Sequence, residues 1–303
     1  MHKPSWFKKD KVLIVNAKTC GINKDGKEQY LVNPETGIRS SSEIDDNLAE
    51  CCDSIVKGFF DRDEIFYHDY SDMIDKDIFV PKYYDHETLI GIENLVSSKS
   101  DLSLLTLGEL KDRGDITIFP GHGSPSSDQR IGSIPYIKVS DLRAGHVNIN
   151  PTNMIPLDLA KKFWGKDNSG LFPYDLISPE RASKNIGEFC ILMPGQEKAV
   201  FTKEVMIIRA INMDIFDQFY LLWALSLNEV RAQWERIVFM QTNREDVGKR
   251  MLEIKIPVPR DRLTADNYSK PFKEYYNSLE ESRKKFISSL TESEFNHHIH
   301  LGE

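Results

Sequence analysis

The chain has 303 residues, 40% hydrophobic and 28% charged, with 39 Lys+Arg against 47 Asp+Glu for a formal net charge of −8. That length suits two modest domains, or one domain with a long appendage. No run approaches the roughly 18 uninterrupted apolar residues of a membrane span, and MHKPSWFKKDKVLIVNAK has no apolar core followed by a cleavage site, so a soluble, cytoplasmic protein is expected. The acidity is local: residues 1–110 hold 13 basic and 21 acidic side chains, residues 111–260 hold 20 and 18, and residues 261–303 hold 6 and 8. A middle segment near neutrality can carry a basic face toward phosphates. Of the cysteines only Cys51 and Cys52 are close, and adjacent cysteines offer neither C-x-x-C spacing nor an easy mutual disulfide.

In chain order, KVLIVNAKTCGI (residues 11–22) opens with a β-prone run, and Asp25-Gly26 precedes a second run, QYLV, which predicts a β-hairpin. SSSEIDDNLAECCDSIVKGFFDR places Ile44, Leu48, Cys51, Ile55, Val56 and Phe59 at helical spacing behind Ser and acidic residues. The next forty residues, acidic and tyrosine-rich, read as an extended connector, with a domain boundary near residues 95–103. From Leu104, short runs punctuated by Gly, Pro and Asn (DITIF, SIPYIKVSDL, HVNINPT, EFCILMPG, AVFTKEVMIIRAI) predict a strand-rich, mixed α/β domain over residues 101–263. Residues 214–238 carry a long helical pattern with Asp at its start, and MLEIKIPVPRDRL is a last strand closed by two prolines. The piece from Asn267 to Leu290 has Phe272, Tyr276, Leu279, Phe286 and Leu290 at alternating spacings of four and three, with Arg283 at one seam position. It is either a helix packed on its own domain or a coiled-coil-like arm for a partner. The second reading is preferred because the piece follows the strand that closes the domain.

FPGHG (residues 119–123) fits the F-x-G-x-G loop with which many methyltransferases hold S-adenosylmethionine. Such a loop joins a strand to a helix N-terminus, whereas Ser124 to Gln129 is turn-forming and Gly132 and Pro135 follow at once. The polar-Pro-Pro-aromatic tetrapeptide of enzymes that methylate a flipped base is also missing: Asn33-Pro34-Glu35-Thr36 and Asn150-Pro151-Thr152-Asn153 lack the second proline and the aromatic. There is no GxxxxGK[ST], H-E-x-x-H or G-x-S-x-G. Asp141 and Glu188 are scattered acids without nuclease spacing, and His297, His298 and His300 read as a solvated tail. No catalytic residue, cofactor or metal is expected.

LTLGEL (residues 105–110), the turn Gly123-Ser124-Pro125-Ser126, GSIPYIKVSDLRAGHV (residues 132–147), VRAQWERIV, QTNRED and IKIPVP (residues 254–259) occur in an order that resembles one target-recognition domain plus helical arm from the DNA specificity subunits of type I restriction-modification systems. KVLIVNAKTCGINKDGKEQYLV and EIDDNLAE resemble the C-terminal tail of the adenine methyltransferases that work with such domains. The resemblance implies a non-catalytic, sequence-specific DNA-recognition chain that serves an adenine methyltransferase and often a restriction subunit. It implies either a separate subunit or a piece of a larger fusion, with residues 1–100 as tail and connector and residues 264–303 as helical arm. Double-stranded DNA is the implied ligand, and two copies could pair through the C-terminal helix, or one copy could serve a methyltransferase that reads a continuous site. Charge and loop position nominate Lys138, Arg143, Lys161, Lys162, Arg181, Lys184 and Arg244 as phosphate or base contacts; Gly132, Pro135 and Tyr136 are read as architectural. The alternative is a methyltransferase fragment that uses the FPGHG loop.

Overall fold

The computed structural model describes residues 7–23, 25–60, 63–181, 185–239, 247–297 and 299. The chain divides into two units, Met1–Glu87 and Thr88–Glu303. In the first, β1 (Lys11–Val15), β2 (Tyr30–Val32), β3 (Arg39–Ile44), α1 (Leu48–Lys57), β4 (Ile65–Asp69) and α2 (Tyr70–Lys76) are followed by a 3-10 turn at Pro81–Tyr84. The expected hairpin is partly redrawn. Asp25-Gly26 does turn the chain, with Gly26 at φ 75° and Ile22 bridged to Glu28. β1, however, pairs antiparallel with β4, from Lys11 opposite Asp69 to Val15 opposite Ile65, while β2 pairs with β3. Ile14 and Ile65 are both buried in that ladder, so β1 takes the strand that lets its apolar face be covered.

Two further expectations for this unit are corrected. The helix begins at Leu48 rather than in the serine run, because Ile44 lies in β3 opposite Tyr30. The stretch read as a connector holds β4, α2 and the 3-10 turn, with Tyr83 and Tyr84 buried at 1% and 3% exposure. Tyr84 donates to the Ile78 carbonyl (2.7 Å) and its ring lies 4.2 Å from that of His68. Elements of four to seven residues are too short to show a period in the sequence.

The second unit is mixed α/β. α3 (Glu87–Ser97) starts at the division; then come β5 (Leu102–Thr106), α4 (Leu107–Asp112), β6 (Ile116–Pro120), β7 (Ile134–Ile137), β8 (Leu142–Arg143), β9 (His146–Val147), β10 (Met154–Ile155), α5 (Leu157–Trp164), β11 (Leu176–Pro179), β12 (Cys190–Ile191), β13 (Val200–Phe201), β14 (Val205–Ala210), α6 (Gln218–Ser226), α7 (Asn228–Ile237), β15 (Lys255–Pro259) and α8 (Arg262–Thr291). A six-stranded sheet has the order β6-β14-β11-β12-β9-β8, a three-stranded sheet the order β10-β7-β13, and β15 pairs with β5. One apolar cluster includes Ile137, Leu142, Ile177, Leu192, Phe201 and Ile207. A second seats α5 on the smaller sheet through Ala160 and Trp164, with Trp164 Nε1 donating to the Ala199 carbonyl at 3.0 Å. No helix among the described residues is long and apolar enough to cross a membrane.

The single helix expected over residues 214–238 is two. Asp217, not Asp214, caps the first by accepting from the backbone amides of Phe219 and Tyr220 (3.0 Å each), and the chain breaks at Leu227, whose ψ of 138° is extended. Ser226 and Asn228 flank that break, residue types that satisfy backbone groups at helix ends better than in helix interiors. α8 is longer than expected, 30 residues, and its first half packs on its own unit: Ala265, Ser269 and Tyr276 are buried and Phe272 and Leu279 half-buried. Past Arg283 the helix opens to solvent, with Phe286 44% exposed and Leu290 half-buried.

Candidate nucleic-acid interface

The motif GSIPYIKVSDL builds the spine of the interface. A side chain at Gly132 would overlap the Ile155 backbone and the Pro156 nitrogen, so only glycine lets the chain enter β7 against β10. Pro135 faces Met154 in that short ladder, where its missing N–H costs nothing because Tyr136 N and Ser133 N supply the donors, to Asn153 O (2.8 Å) and Ile155 O (3.2 Å). Tyr136 is buried, with the Arg130 guanidinium 5.1 Å from its ring. At the far end of β7, the Lys138 amide donates to Asp141 Oδ2 (2.8 Å), and the Asp141 carbonyl accepts from Asn148 N. Glu188 holds the Ala144 amide at 3.0 Å. Both acids singled out in the sequence therefore serve turns.

FPGHG ends β6 and is closed to a cofactor. The amides of Gly121, His122 and Gly123 donate to Val205 O, Phe201 O and Phe201 O (3.0, 2.9 and 3.1 Å), so the donors that would cradle a ligand are already used. Neither Gly121 nor Gly123 has positive φ, and both are required by space: a side chain at Gly121 would overlap the Thr202 carbonyl, and one at Gly123 the Phe163 ring.

His122 is locked between the two flanking loops. Its Nδ1 accepts from Phe201 N (3.0 Å) and its Nε2 meets Ser169 O at 2.9 Å, so the neutral Nε2–H tautomer satisfies both partners. Burial lowers its pKa. The unfolded chain therefore takes up the proton more readily than the folded one, and this contribution to stability is complete above the ordinary imidazole value of about 6.5 and is lost as pH falls below it. Thermal melts at pH 7.5 and 5.5 should show a larger drop for the wild-type protein than for His122→Gln; equal drops would refute the assignment.

Strand ends gather the basic positions. Pro120 opposite Met206, Pro179 opposite Val205, and Thr202 N bonded to Ile137 O place the ends of β6, β11 and β7 at the start of β14. Val247 N donates to Glu180 O (3.1 Å), which brings the chain after α7 to the same edge. Lys138 and Arg181 lie there, together with Lys203 in the turn between β13 and β14. Sequence reasoning passed over Lys203, although a lysine in a break between two apolar runs is a readable signal. Lys184 and Arg244 lie outside the described residues. Arg143 ends β8 and donates to the carbonyls of Leu142 in that strand (2.6 Å) and of Val139 in the turn before it (3.3 Å). Lys161 and Lys162 stand apart on α5.

Pairing sorts these cations. Arg181 is held by Glu204 (2.9 Å) and Lys161 by Asp167 (3.0 Å). Lys138, Lys162 and Lys203 have no ion pair among the described residues and are the ones available to a phosphate. Among the described residues no group of three or more His, Cys, Asp or Glu is placed to hold a metal ion. His298 and His300 fall outside them, and His297 reaches only Ser293 (3.5 Å).

The sequence also missed how α8 is seated. Tyr276 OH donates to Gly145 O (3.1 Å), Tyr275 OH meets His146 Nε2 (3.0 Å), and Tyr174 OH donates to Glu280. Burial pushes the Tyr276 phenol up to about 12, so it remains a donor throughout the neutral range. Gly145, at φ 76°, is the turn that meets this helix.

The second unit is a strand-rich, mixed α/β fold with α8 seated on it. Comparison with protein-family models gives no match, and comparison with curated protein sequences gives none. Solved structures to which the chain is similar include several from type I restriction-modification systems. One is a chain from a study of complex assembly and conformational transition of the type I R-M system (15% identity, TM-score 0.39, covering 67% of this chain and 48% of that one). Another is the specificity subunit from M. genitalium (13%, 0.38, 93% and 80%). A third is the HsdS subunit from Thermoanaerobacter tengcongensis (14%, 0.37, 82% and 59%). The chain thus spans about half the length of the first of these.

Proposed function

We propose that this chain is a non-catalytic DNA target-recognition component that directs an adenine methyltransferase, in a restriction-modification or related defence system acting on DNA in the cytoplasm. The observation that supports it most directly is that GSIPYIKVSDL and IKIPVP build one unit whose strand ends present, at a single edge, lysines with no ion pair among the described residues. Lys138 and Lys203 there, and Lys162 on α5, fix register on phosphates, which carry no sequence information. The loops between them reach the major groove, where the donor and acceptor pattern differs for all four base pairs. The methyltransferase, a restriction subunit, and a second copy joined through the exposed end of α8 are the partners this reading supplies.

Titration with random-sequence duplex should give salt-sensitive binding, and each of Lys138→Ala, Lys162→Ala and Lys203→Ala should lower the log–log salt slope by about one. No duplex binding at low salt, with or without the methyltransferase, would overturn the reading. Arg181→Ala, whose charge is already neutralised by Glu204, should change the slope least.

A further inference from the structure

Among the described residues of the first unit, six large apolar side chains are buried (Ile14, Cys51, Ile65, Met73, Tyr83, Tyr84) and twelve are exposed. A self-sufficient domain inverts that ratio, because apolar burial is what offsets the entropy of folding. Four of those twelve, Leu31, Val32, Ile38 and Ile44, lie on the hairpin of β2 and β3, at 43%, 51%, 68% and 45% exposure. These two strands form a sheet with no third member among the described residues, and a ribbon of two strands with no covered face is at best marginally stable in water.

The hairpin nevertheless has a defined shape. Asn33 N donates to Ile38 O (3.0 Å) and Gly37 N to Asn33 O (2.8 Å), while Asn33 Oδ1 accepts from the amides of Glu35 (2.9 Å) and Thr36 (3.0 Å). Gly37 sits at φ 68°, an angle other residues resist. Leu31, Val32, Pro34 and Ile38 line a groove of about 560 Å³ with Arg39 and Glu43 on its rim.

Charge decides what fits. Around the hairpin stand Asp25, Glu28, Glu35, Glu43, Asp45 and Asp46, against Lys27 and Arg39 among the described residues, and Arg39 lies over the Tyr30 ring at 4.6 Å. That field repels DNA, and it repels a second copy of the same hairpin. It attracts a cationic surface. We propose that the hairpin of residues 30–44 is a docking surface for a partner protein that presents aliphatic side chains flanked by lysines or arginines. That partner is the adenine methyltransferase, an identity that rests on the function proposed above.

The test uses the full chain and the purified adenine methyltransferase encoded in the same genome, with affinity measured by calorimetry and duplex binding measured on the same preparations. Ile38→Glu with Leu31→Ser should weaken the complex by about ten-fold or more. Glu35→Lys with Glu43→Lys should weaken it most at low salt, and duplex binding should be unchanged in both. If the complex is lost in the variants while the wild-type chain binds no duplex, docking stands and the DNA reading falls. The proposal is overturned if the wild type forms no complex, if the variants bind like the wild type, or if they lose duplex binding. It is also overturned if sedimentation shows a wild-type dimer that Ile38→Glu dissociates.

Discussion

Arg209→Met is expected to cost the second unit about 3–5 kcal/mol, the range for stranding one member of a buried ion pair. Asp175 is fully buried, and its two oxygens accept from Arg209 Nε and Nη2 at 2.6 Å each. Arg209 also donates to Gly170 O (2.9 Å) and lies over the Phe172 ring at 4.0 Å. Without it the carboxylate keeps, among the described residues, the Phe172 amide (2.9 Å). Asp175 immediately precedes β11, which pairs with β12 and β14 in the six-stranded sheet, so the damage reaches the centre of that sheet. A thermal melt should fall by roughly 10 °C, at about 2–4 °C per kcal/mol for a unit of this size. Arg181→Met is the control: Arg181 and Glu204 are each about one-third exposed, and such a pair contributes about 0–1 kcal/mol. Adding Asp175→Leu to Arg209→Met should recover part of the loss, since removing both charges leaves no buried charge unpaired, although the Phe172 amide and the Gly170 carbonyl lose their partners. Equal melts for Arg209→Met and Arg181→Met would show that burial does not set the value of the pair.

What could be read in the sequence was what depends on neighbours a few residues away. LTLGEL reads as the opening of the domain, and the local Thr-x-x-Glu spacing within it forms a capping box: Thr106 Oγ1 accepts from Glu109 N (3.1 Å) while Glu109 Oε2 accepts from Thr106 N (2.7 Å). IKIPVP is β15, paired along its length with β5, and the strand in GSIPYIKVSDL is where the pattern put it. What could not be read was long-range choice. Nothing in KVLIV says that its partner is Ile65–Asp69 rather than the nearer YLV, because alternation reports which face is buried and not which strand lies beside it. The seven nominated cations show the same limit. Type and loop position marked them, but availability is decided by acids that approach in space: Glu204 for Arg181, Asp167 for Lys161. Arg143 folds back onto the carbonyls of Leu142 and Val139, for which no sequence signal exists.

Gly132→Ala and Gly121→Ala are expected to be the next most damaging substitutions, and they separate two reasons for keeping a glycine. At both positions a methyl group would overlap main-chain atoms, of Ile155 and Pro156 at Gly132 and of Thr202 at Gly121. Main chain in a sheet cannot move aside as a side-chain tip can, so β7 or the Thr202 turn must shift. Overpacking of this kind costs about 1–3 kcal/mol or more, against which the loss of glycine's unfolded-state freedom returns about 0.4–1 kcal/mol. Gly114 is the counter-case: its φ is 77° and a methyl group there would meet nothing within 4 Å, so Gly114→Ala should cost only the left-handed backbone penalty of about 1–2 kcal/mol. Because Thr202 joins β13 to β7 and precedes Lys203, Gly121→Ala should also weaken duplex binding at temperatures where the protein is still folded, whereas Gly114→Ala should leave it intact. Denaturant midpoints and duplex titrations on the three variants check both points. A Gly121→Ala protein with wild-type affinity would mean that the turn carrying Lys203 is not held in place by its fit against the glycine.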